Sequence, residues 1–147
     1  MDIVTFNRAD GYLISSDPAL LQIEVIHQFL SNESYWAQGR TIEIVRESIA
    51  NSLCFGMYLE DRQVGFARVV TDGITFAWLC DVFIVSDQRG KDLGKWLIQS
   101  VVSHPQLSSI RRIVLATRDA HGLYQEYGGF TPLVQPERWM ERFKPSI

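Results

Sequence analysis

The sequence predicts a single-domain α/β fold in which a mixed central sheet is flanked by helices. The chain of 147 residues has the length of one domain, and its 46% of hydrophobic residues can bury a core. Stretches with apolar residues at helical spacing alternate with short apolar runs typical of strands. We expect an antiparallel meander and then a β-α-β unit, in the order β-α-α-β-β-β-α-β-α-β over residues 1–147.

One strand and two helices are predicted in the first third of the chain. YLISS, residues 12–16, is typical of a short strand. Asp17 and Pro18 favour the start of a helix, as its N-cap and first helical residue, and apolar residues follow at helical spacing. A polar loop with two aromatic residues comes next. TIEIVRESIANS, residues 41–52, is predicted as the second helix.

Three apolar runs predict the antiparallel meander. CFGMYLE (54–60) and QVGFARVV (63–70) flank a tight turn at Asp61 and Arg62. The turn TDG then leads into ITFAWLCDVFIV (74–85), which is the third strand.

The second half of the chain predicts the β-α-β unit. LGKWLIQSVVSH (93–104) has helical spacing, and RRIVLAT (111–117) is rich in strand-forming residues. HGLYQEY (121–127) is predicted as a short helix that two glycines terminate. FTPLV (130–134) is predicted as the last strand.

Charge and composition narrow the class of protein. The net charge of -3 argues mildly against nucleic acid as the main partner. The N-terminus lacks a signal-peptide pattern, and no apolar run approaches the ~20 residues of a membrane span. Cys54 and Cys80 lie in apolar runs, which predicts buried free thiols and a cytoplasmic location. The three histidines have no metal-ligand spacing, so we expect no metal.

The segment QRGKDLGKW, residues 88–96, has the features of an anion-binding loop. Gly90 and Gly94 allow close approach to the backbone, and the helix that follows presents free N–H groups and the positive end of its dipole. Three basic residues add positive charge: Arg89, Lys91 and Lys95. By itself such a turn is weak support for a phosphate site, because many are turns only.

Two segments in the same order resemble the GCN5-related N-acetyltransferases, the GNAT superfamily. DVFIVSDQRGKDLGKWL resembles the family's acetyl-CoA motif, Q/R-x-x-G-x-G/A between a strand and a helix, with Arg89, Asp92 and Gly94 on its fixed positions. DAHGLYQEYGGF resembles the family's A-x-x-LY-x-x-x-GF segment. The resemblance implies acetyl transfer from acetyl-CoA to a primary amine. Asp92 departs from the usual middle glycine, and Gly128–Gly129 adds one residue before Phe130.

The effect of Asp92 on the affinity for acetyl-CoA depends on the direction of its side chain. Its backbone N–H is still available, and its side chain can point outward and interact with the helix dipole. A carboxylate that faced the pyrophosphate would instead repel it by ~1 kcal/mol or more. We expect the outward arrangement, with binding weakened and not abolished.

The resemblance implies a catalytic role for Tyr124, and the sequence itself offers a second candidate, Asp81. Tyr124 matches the tyrosine that protonates the departing CoA sulfur, and a phenol with a pKa of about 10 suits that role. The alternative is a tyrosine that anchors the short helix. Asp81, inside an apolar strand, is the candidate base or amine ligand; the alternatives are a structural ion pair with Arg68 and a water chain as base.

The expected cofactor site follows the family's pattern. The backbone N–H of Ile84 or Val85 would hold the thioester carbonyl, and residues 117 to 119 would line the pantetheine arm. The full set of expected cofactor contacts is Phe83, Ile84, Val85, Arg89, Gly90, Lys91, Asp92, Leu93, Gly94, Lys95, Thr117, Asp119, Tyr124 and Tyr127.

The acceptor site is expected in ESYWAQGR, at Tyr35, Trp36 and Arg40, together with Asp81. The aromatic rings would stack on an apolar or cationic acceptor, and Arg40 would pair with a carboxylate. The alternative is a loop whose aromatic rings cap the core. We expect a small-molecule amine, with a protein amine as an alternative and a non-catalytic CoA-binding sensor as the rival function. PERWMERF (136–143) is expected to pack on the sheet edge, or else to form a homodimer contact.

Overall fold

A computed structural model describes residues 2–145 and has the mixed α/β architecture predicted from the sequence. Its sheet has six strands in spatial order β1 to β6. Neighbours from β1 to β5 are antiparallel, whereas β6 runs parallel to β5. The strands are β1 (Thr5–Asn7), β2 (Tyr12–Ser15), β3 (Leu53–Leu59), β4 (Arg62–Thr71), β5 (Ala77–Ile84) and β6 (Ile113–Val114).

Helices cover both faces of the sheet, and each face has its own apolar core. One core lies under α3, α4 and α5 and includes Leu93, Leu97 and Val101 of α3, spaced one turn apart. The other core lies under α1 and α2. The helices are α1 (Ile23–Gln28), α2 (Ile42–Ala50), α3 (Leu93–Ser103), α4 (Pro105–Ser108) and α5 (His121–Gly128). None of the helices within residues 2–145 has the length and apolar character needed to cross a membrane.

The first predicted helix is divided into three parts. Asp17 does act as an N-cap, because its Oδ1 accepts a hydrogen bond from the N–H of Ala19 at 2.9 Å, but it caps only a 3-10 turn, Pro18–Leu20. Gln22 interrupts the helix, since its backbone N–H donates to Oε1 of Gln63 on β4 at 2.7 Å. After α1, a π-helical turn, Phe29–Glu33, completes the segment.

The predicted last strand is wrong. Residues 130–134 form no strand, and their exposed backbone includes Pro132, which has no N–H to donate to a sheet. The sheet ends at β6, which pairs with β5 over only two residues. The sixth strand is instead β1, which extends the opposite edge by pairing with β2. The C-terminal Trp139 packs against Arg112, whose guanidinium lies 5.6 Å from its ring centroid.

Candidate active site

A cleft of about 960 Å³ opens where β5 and β6 separate, and this volume is typical of small-molecule sites. The two strands pair only at Ala77 with Ile113 and at Trp78 with Val114. Beyond that point, residues 79–84 form one wall and residues 116–120 the other. Four further segments border the opening: the loop 88–95, the loop 33–40, the π-helical turn and α5.

The loop 89–95 presents free backbone donors to this cleft. Within the described residues, the N–H groups of residues 90 to 95 donate to no acceptor, as expected ahead of and in the first turn of α3. Gly90 has a φ of 84°, a conformation that glycine tolerates best, and no atom lies within 4 Å of the position of a Cβ there. The loop therefore offers an uncovered set of N–H donors with the helix dipole behind them.

Asp92 lies at the rim of the cleft, and its side chain is largely exposed to water. Its φ of 61° is left-handed, a conformation that aspartate tolerates better than most residues with a Cβ. Its carboxylate is 74% exposed and lies 3.0 Å from Nζ of Lys95. It accepts no hydrogen bond from the N–H groups of α3, so it does not cap that helix. Lys95 thus offsets the charge that replaces the usual glycine.

The N-terminal hairpin supports the loop from outside the cleft. Nη2 of Arg8 donates to the carbonyl oxygen of Lys91 at 3.2 Å, and Nζ of Lys91 lies 3.3 Å from the hydroxyl of Tyr12. The guanidinium of Arg8 also lies over the rings of Tyr12 and Trp96. Lys91, predicted as a cofactor contact, is therefore directed toward the hairpin and does not line the cleft.

Strand β5 directs a free N–H into the opening at Ile84. The N–H of Val85 is already used, because it donates to the carbonyl oxygen of Val64 at 2.8 Å. Donors alternate in direction along an antiparallel strand, so the N–H of Ile84 points away from β4, to the side where β6 has diverged. Ile84 and Val85 were the two residues expected to donate a backbone N–H to the thioester carbonyl, and of these only Ile84 lines the cleft.

Tyr124 lies on α5 with its side chain buried at the cleft wall. Its ring packs edge-on against Phe130 at 5.9 Å, and Gly129, with a φ of 71°, ends the helix by donating to the carbonyl oxygen of Tyr124. Burial raises the pKa of Tyr124 to about 12, so the hydroxyl is protonated at neutral pH. Tyr127 lies outside the cleft, where its ring contacts Lys95 at 5.1 Å.

Asp81 is held at a β-bulge in β5. Phe83 pairs with Phe66, and Cys80 pairs with Arg68. Two residues of β5, Asp81 and Val82, therefore lie opposite one residue of β4, Ala67. Asp81 has a left-handed φ of 53°, and its side chain is 2% exposed. The bulge directs the carboxylate toward Arg68 on β4 and toward Trp36 and Arg40 of the loop 33–40.

Three donors converge on the Asp81 carboxylate. Its Oδ2 accepts from Nη1 of Arg40 and from Nε of Arg68, each at 2.8 Å, and its Oδ1 accepts from Nε1 of Trp36 at 2.9 Å. Arg68 is fixed further by Ser52, whose hydroxyl oxygen accepts from Nη1 at 3.1 Å. The predicted ion pair of Asp81 with Arg68 is thus present, and Arg40 joins it.

The loop 33–40 is packed by its aromatic side chains. Trp36 meets Tyr35 edge-on at 5.0 Å and Phe29 at 6.5 Å, and Phe29 stacks on Phe83 at 4.1 Å. Tyr35 also bridges the cleft, because its hydroxyl oxygen accepts from the backbone N–H of Arg118 at 2.8 Å and its ring lies 3.9 Å under that residue's guanidinium. The loop is therefore joined to both walls of the cleft.

Comparison with known proteins decides the class of this site. Residues 23–130 match the sequence profile of the Acetyltransferase (GNAT) family. The chain belongs to the GNAT acetyltransferase family. The resemblance seen in the two sequence segments, the fold class and the acyltransferase class are all confirmed.

Individual GNAT relatives agree with this membership. A crystallised GNAT-family protein of Xanthomonas campestris pv. campestris is 46% identical, with a TM-score of 0.87 over 91% of this chain and 94% of that one. A protein of Gibberella zeae described as an acetyltransferase is 33% identical, and the match covers 81% of this chain and 78% of the other. A GNAT structure from Elizabethkingia anophelis contains acetyl-CoA and shares the fold, at 14% identity and a TM-score of 0.60 over 80% of this chain and 75% of that one.

In this GNAT chain, most of the predicted site residues meet in the one cleft. Three predicted cofactor contacts do not line it: Val85, Lys91 and Tyr127. The predicted residues that do line it are Tyr35, Trp36, Arg40, Asp81, Phe83, Ile84, Arg89, Gly90, Asp92, Leu93, Gly94, Lys95, Thr117, Asp119 and Tyr124.

Several cleft residues of the GNAT site were missed in the sequence. Phe29 and Glu33 lie on the π-helical turn, a feature frequent at functional sites that no local sequence pattern announced. Trp78 and Cys80 lie on β5, and no sequence pattern distinguishes them from ordinary strand residues. Arg118 lies inside the predicted segment 117–119, but its contact with Tyr35, which joins positions 83 residues apart, was not predicted.

Proposed function

We propose that this GNAT protein transfers the acetyl group of acetyl-CoA to a primary amine of a small molecule. The observation that supports the proposal most is the shared cleft, which brings the N–H donors of loop 89–95, the N–H of Ile84 and the side chain of Tyr124 to one cavity. These are the groups that an anionic cofactor tail, a polarised carbonyl and a departing sulfur require.

Each group has a distinct task in the proposed reaction. Acetyl-CoA supplies an activated acyl carbon: the amine nitrogen bonds to it, the C–S bond breaks, the amine loses one proton and the sulfur gains one. The free N–H groups of loop 89–95 hold the pyrophosphate, and Arg89 and Lys95 add positive charge. The N–H of Ile84 polarises the carbonyl, and the Tyr124 hydroxyl gives its proton to the sulfur.

Asp81 acts in this proposal as a positioning residue. Both of its carboxylate oxygens already accept hydrogen bonds, and two of the three donors are guanidinium groups. A proton taken up from the amine would replace ion pairs that are buried, which is costly. We therefore assign the removal of the amine proton to water, and to Asp81 the placement of Arg40 and Trp36. The free thiols of Cys54 and Cys80 support a reducing, cytoplasmic location.

Calorimetric titration with acetyl-CoA, paired with a CoA-release assay, tests the proposal. We expect one acetyl-CoA per chain, and release of free thiol that depends on an added amine. Binding without release across a panel of amines, amino acids and amine-bearing peptides would favour the rival, a CoA-binding sensor. The Asp92→Gly variant serves as the matched control: binding that appears only in this variant would show that Asp92 closes the site. Absence of binding in both proteins would overturn the proposed cofactor site.

A further inference from the structure

The base of the cleft carries one buried positive charge in excess. Two arginines, Arg40 and Arg68, share the single carboxylate of Asp81, and the three side chains are 18%, 10% and 2% exposed. Within residues 2–145, no second carboxylate lies within 4.0 Å of either guanidinium. Unbalanced charge out of water is unfavourable, so an anion that entered the cleft would stabilise this cluster.

The neighbouring titratable groups supply no such anion. Cys80 lines the cleft beside the cluster, and burial raises the pKa of its thiol to about 11. Cys54, which lies on β3 opposite Arg68, is buried, and burial raises the pKa of its thiol to about 12. Both thiols are therefore neutral at physiological pH. Glu33 also borders the cleft, but its side chain is exposed to water and forms no ion pair with Arg40.

Arg40 is the member of the cluster that faces the cleft. It lines the cavity, whereas Arg68 lies behind Asp81 and contacts Ser52. Arg40 uses one Nη1 hydrogen for Asp81, and the other N–H groups of its guanidinium have no acceptor within the described part of the chain. The packing of Trp36 against Phe29, and the bond from Trp36 to Asp81, hold the loop that carries Arg40. The guanidinium is thus presented in a fixed position with donors to spare.

We infer that the amine acceptor of this enzyme also carries a carboxylate, and that Arg40 is the specificity residue that binds it. The inference rests on the proposed function and names the class of its acceptor: an amino acid or a related amino-carboxylic acid. A planar carboxylate matches the two-pronged fork of a guanidinium. Its single negative charge balances the single excess charge, whereas a phosphate with nearly two charges would need further cations. Glu33 provides an opposite charge for the ammonium end.

Calorimetric titration with matched pairs of acceptors tests the inference. Glycine, β-alanine, 4-aminobutanoate and phenylalanine are each compared with their own carboxamides, with and without saturating CoA. We expect at least one acid to bind about 10- to 100-fold more tightly than its amide, as a charge-assisted bidentate contact predicts. In Arg40→Gln that ratio falls to about 1 to 3, while the affinity for acetyl-CoA is unchanged.

Two further variants make the result specific. Arg40→Lys keeps the charge beside Asp81 without the fork, so an intermediate ratio is expected, and it carries the test if Arg40→Gln does not fold. Arg62→Gln is the matched control, because Arg62 also pairs with an aspartate, Asp87, but outside the cleft; its ratio equals that of the native protein. No preference for any acid in the native protein, or a preference that survives Arg40→Gln, overturns the inference. Binding needs no turnover, so failure of the proposed function appears separately, as absent CoA release.

Discussion

The two loops that border the cleft are built in different ways. Loop 89–95 offers backbone N–H groups, and its conformation depends on Gly90 and on the start of α3. Loop 33–40 offers side chains, and its conformation depends on a carboxylate from β5 and an aromatic ring from the π-helical turn. A site made by backbone can be recognised from glycine spacing, whereas a site made by side chains exists only once distant segments have met.

The two loops also differ in what holds them. Around loop 89–95, the ion pair of Asp92 with Lys95 is exposed and of the kind that contributes little to stability. Around loop 33–40, the ion pairs of Asp81 are buried, so removal of one partner leaves an uncompensated charge. Substitutions in the first loop should therefore change cofactor affinity, and substitutions in the second should change stability and acceptor binding together.

The largest effect is expected from Asp81→Asn. Asparagine tolerates the left-handed backbone of position 81 but leaves Arg40 and Arg68 without a carboxylate. We expect the free energy of unfolding to fall by about 3 to 5 kcal/mol, measured by urea denaturation. Because Asp81 positions other groups, acceptor KM should rise while the pH profile of kcat/KM keeps its shape.

Asp87→Asn is the matched control for this prediction. Asp87 also forms an ion pair with an arginine, Arg62, but both side chains are more than half exposed. Its loss should leave stability nearly unchanged. If the two variants lost the same stability, the contrast between the buried cluster and the surface pairs would be wrong. A pH profile altered by Asp81→Asn would return Asp81 to the role of base.

The same contrast explains how much of the molecule could be predicted from the sequence. The mixed sheet, α2, α3 and the end of α5 follow from local patterns of spacing and glycine, and they are present. No local sequence pattern predicts the bulge at Asp81. The left-handed backbone of this aspartate results from the pairing of β5 with β4. The strand predicted at 130–134 failed for a similar reason: strands are completed by neighbours, and β6 has only two paired residues.

Tyr124→Phe tests the group that lies between the two loops. Phenylalanine keeps the packing against Phe130 and removes the proton donor. We expect kcat to fall by about 10- to 100-fold while the Kd for acetyl-CoA is unchanged. This loss is modest for the removal of a catalytic acid, because a thiolate is a good leaving group even without protonation. Tyr127→Phe is the control, since Tyr127 lies outside the cleft, and its kcat should equal that of the native enzyme. Unchanged turnover in Tyr124→Phe would remove Tyr124 from the acid role.

A smaller effect is expected from charge removal in loop 89–95. Asp92→Asn keeps a side chain that tolerates φ near 61°, whereas Asp92→Gly also relaxes the backbone. We expect the Kd for acetyl-CoA to fall about two- to fivefold in Asp92→Asn, because the exposed carboxylate repels the phosphates only weakly, and this gain should shrink at high salt. Weaker binding in Asp92→Asn would mean that the aspartate and its pair with Lys95 support the loop.

The last prediction concerns the pH profile of kcat, which we expect to stay flat above pH 8. An acid must be protonated to act, and burial raises the pKa of Tyr124 to about 12, two units above an exposed tyrosine at 10.0. The kcat should therefore show no descending limb up to about pH 10.5, whereas an unperturbed tyrosine would already be half deprotonated at about pH 10. The unfolded chain releases this proton at lower pH than the native one, so stability should fall as the pH rises from 10 toward 12. Measurement of kcat and of urea midpoints over this range checks both statements, with Tyr124→Phe as the reference. A descending limb near pH 10 that is absent from Tyr124→Phe would place the hydroxyl in water, and the cleft wall formed by α5 would then be more open than its packing against Phe130 implies.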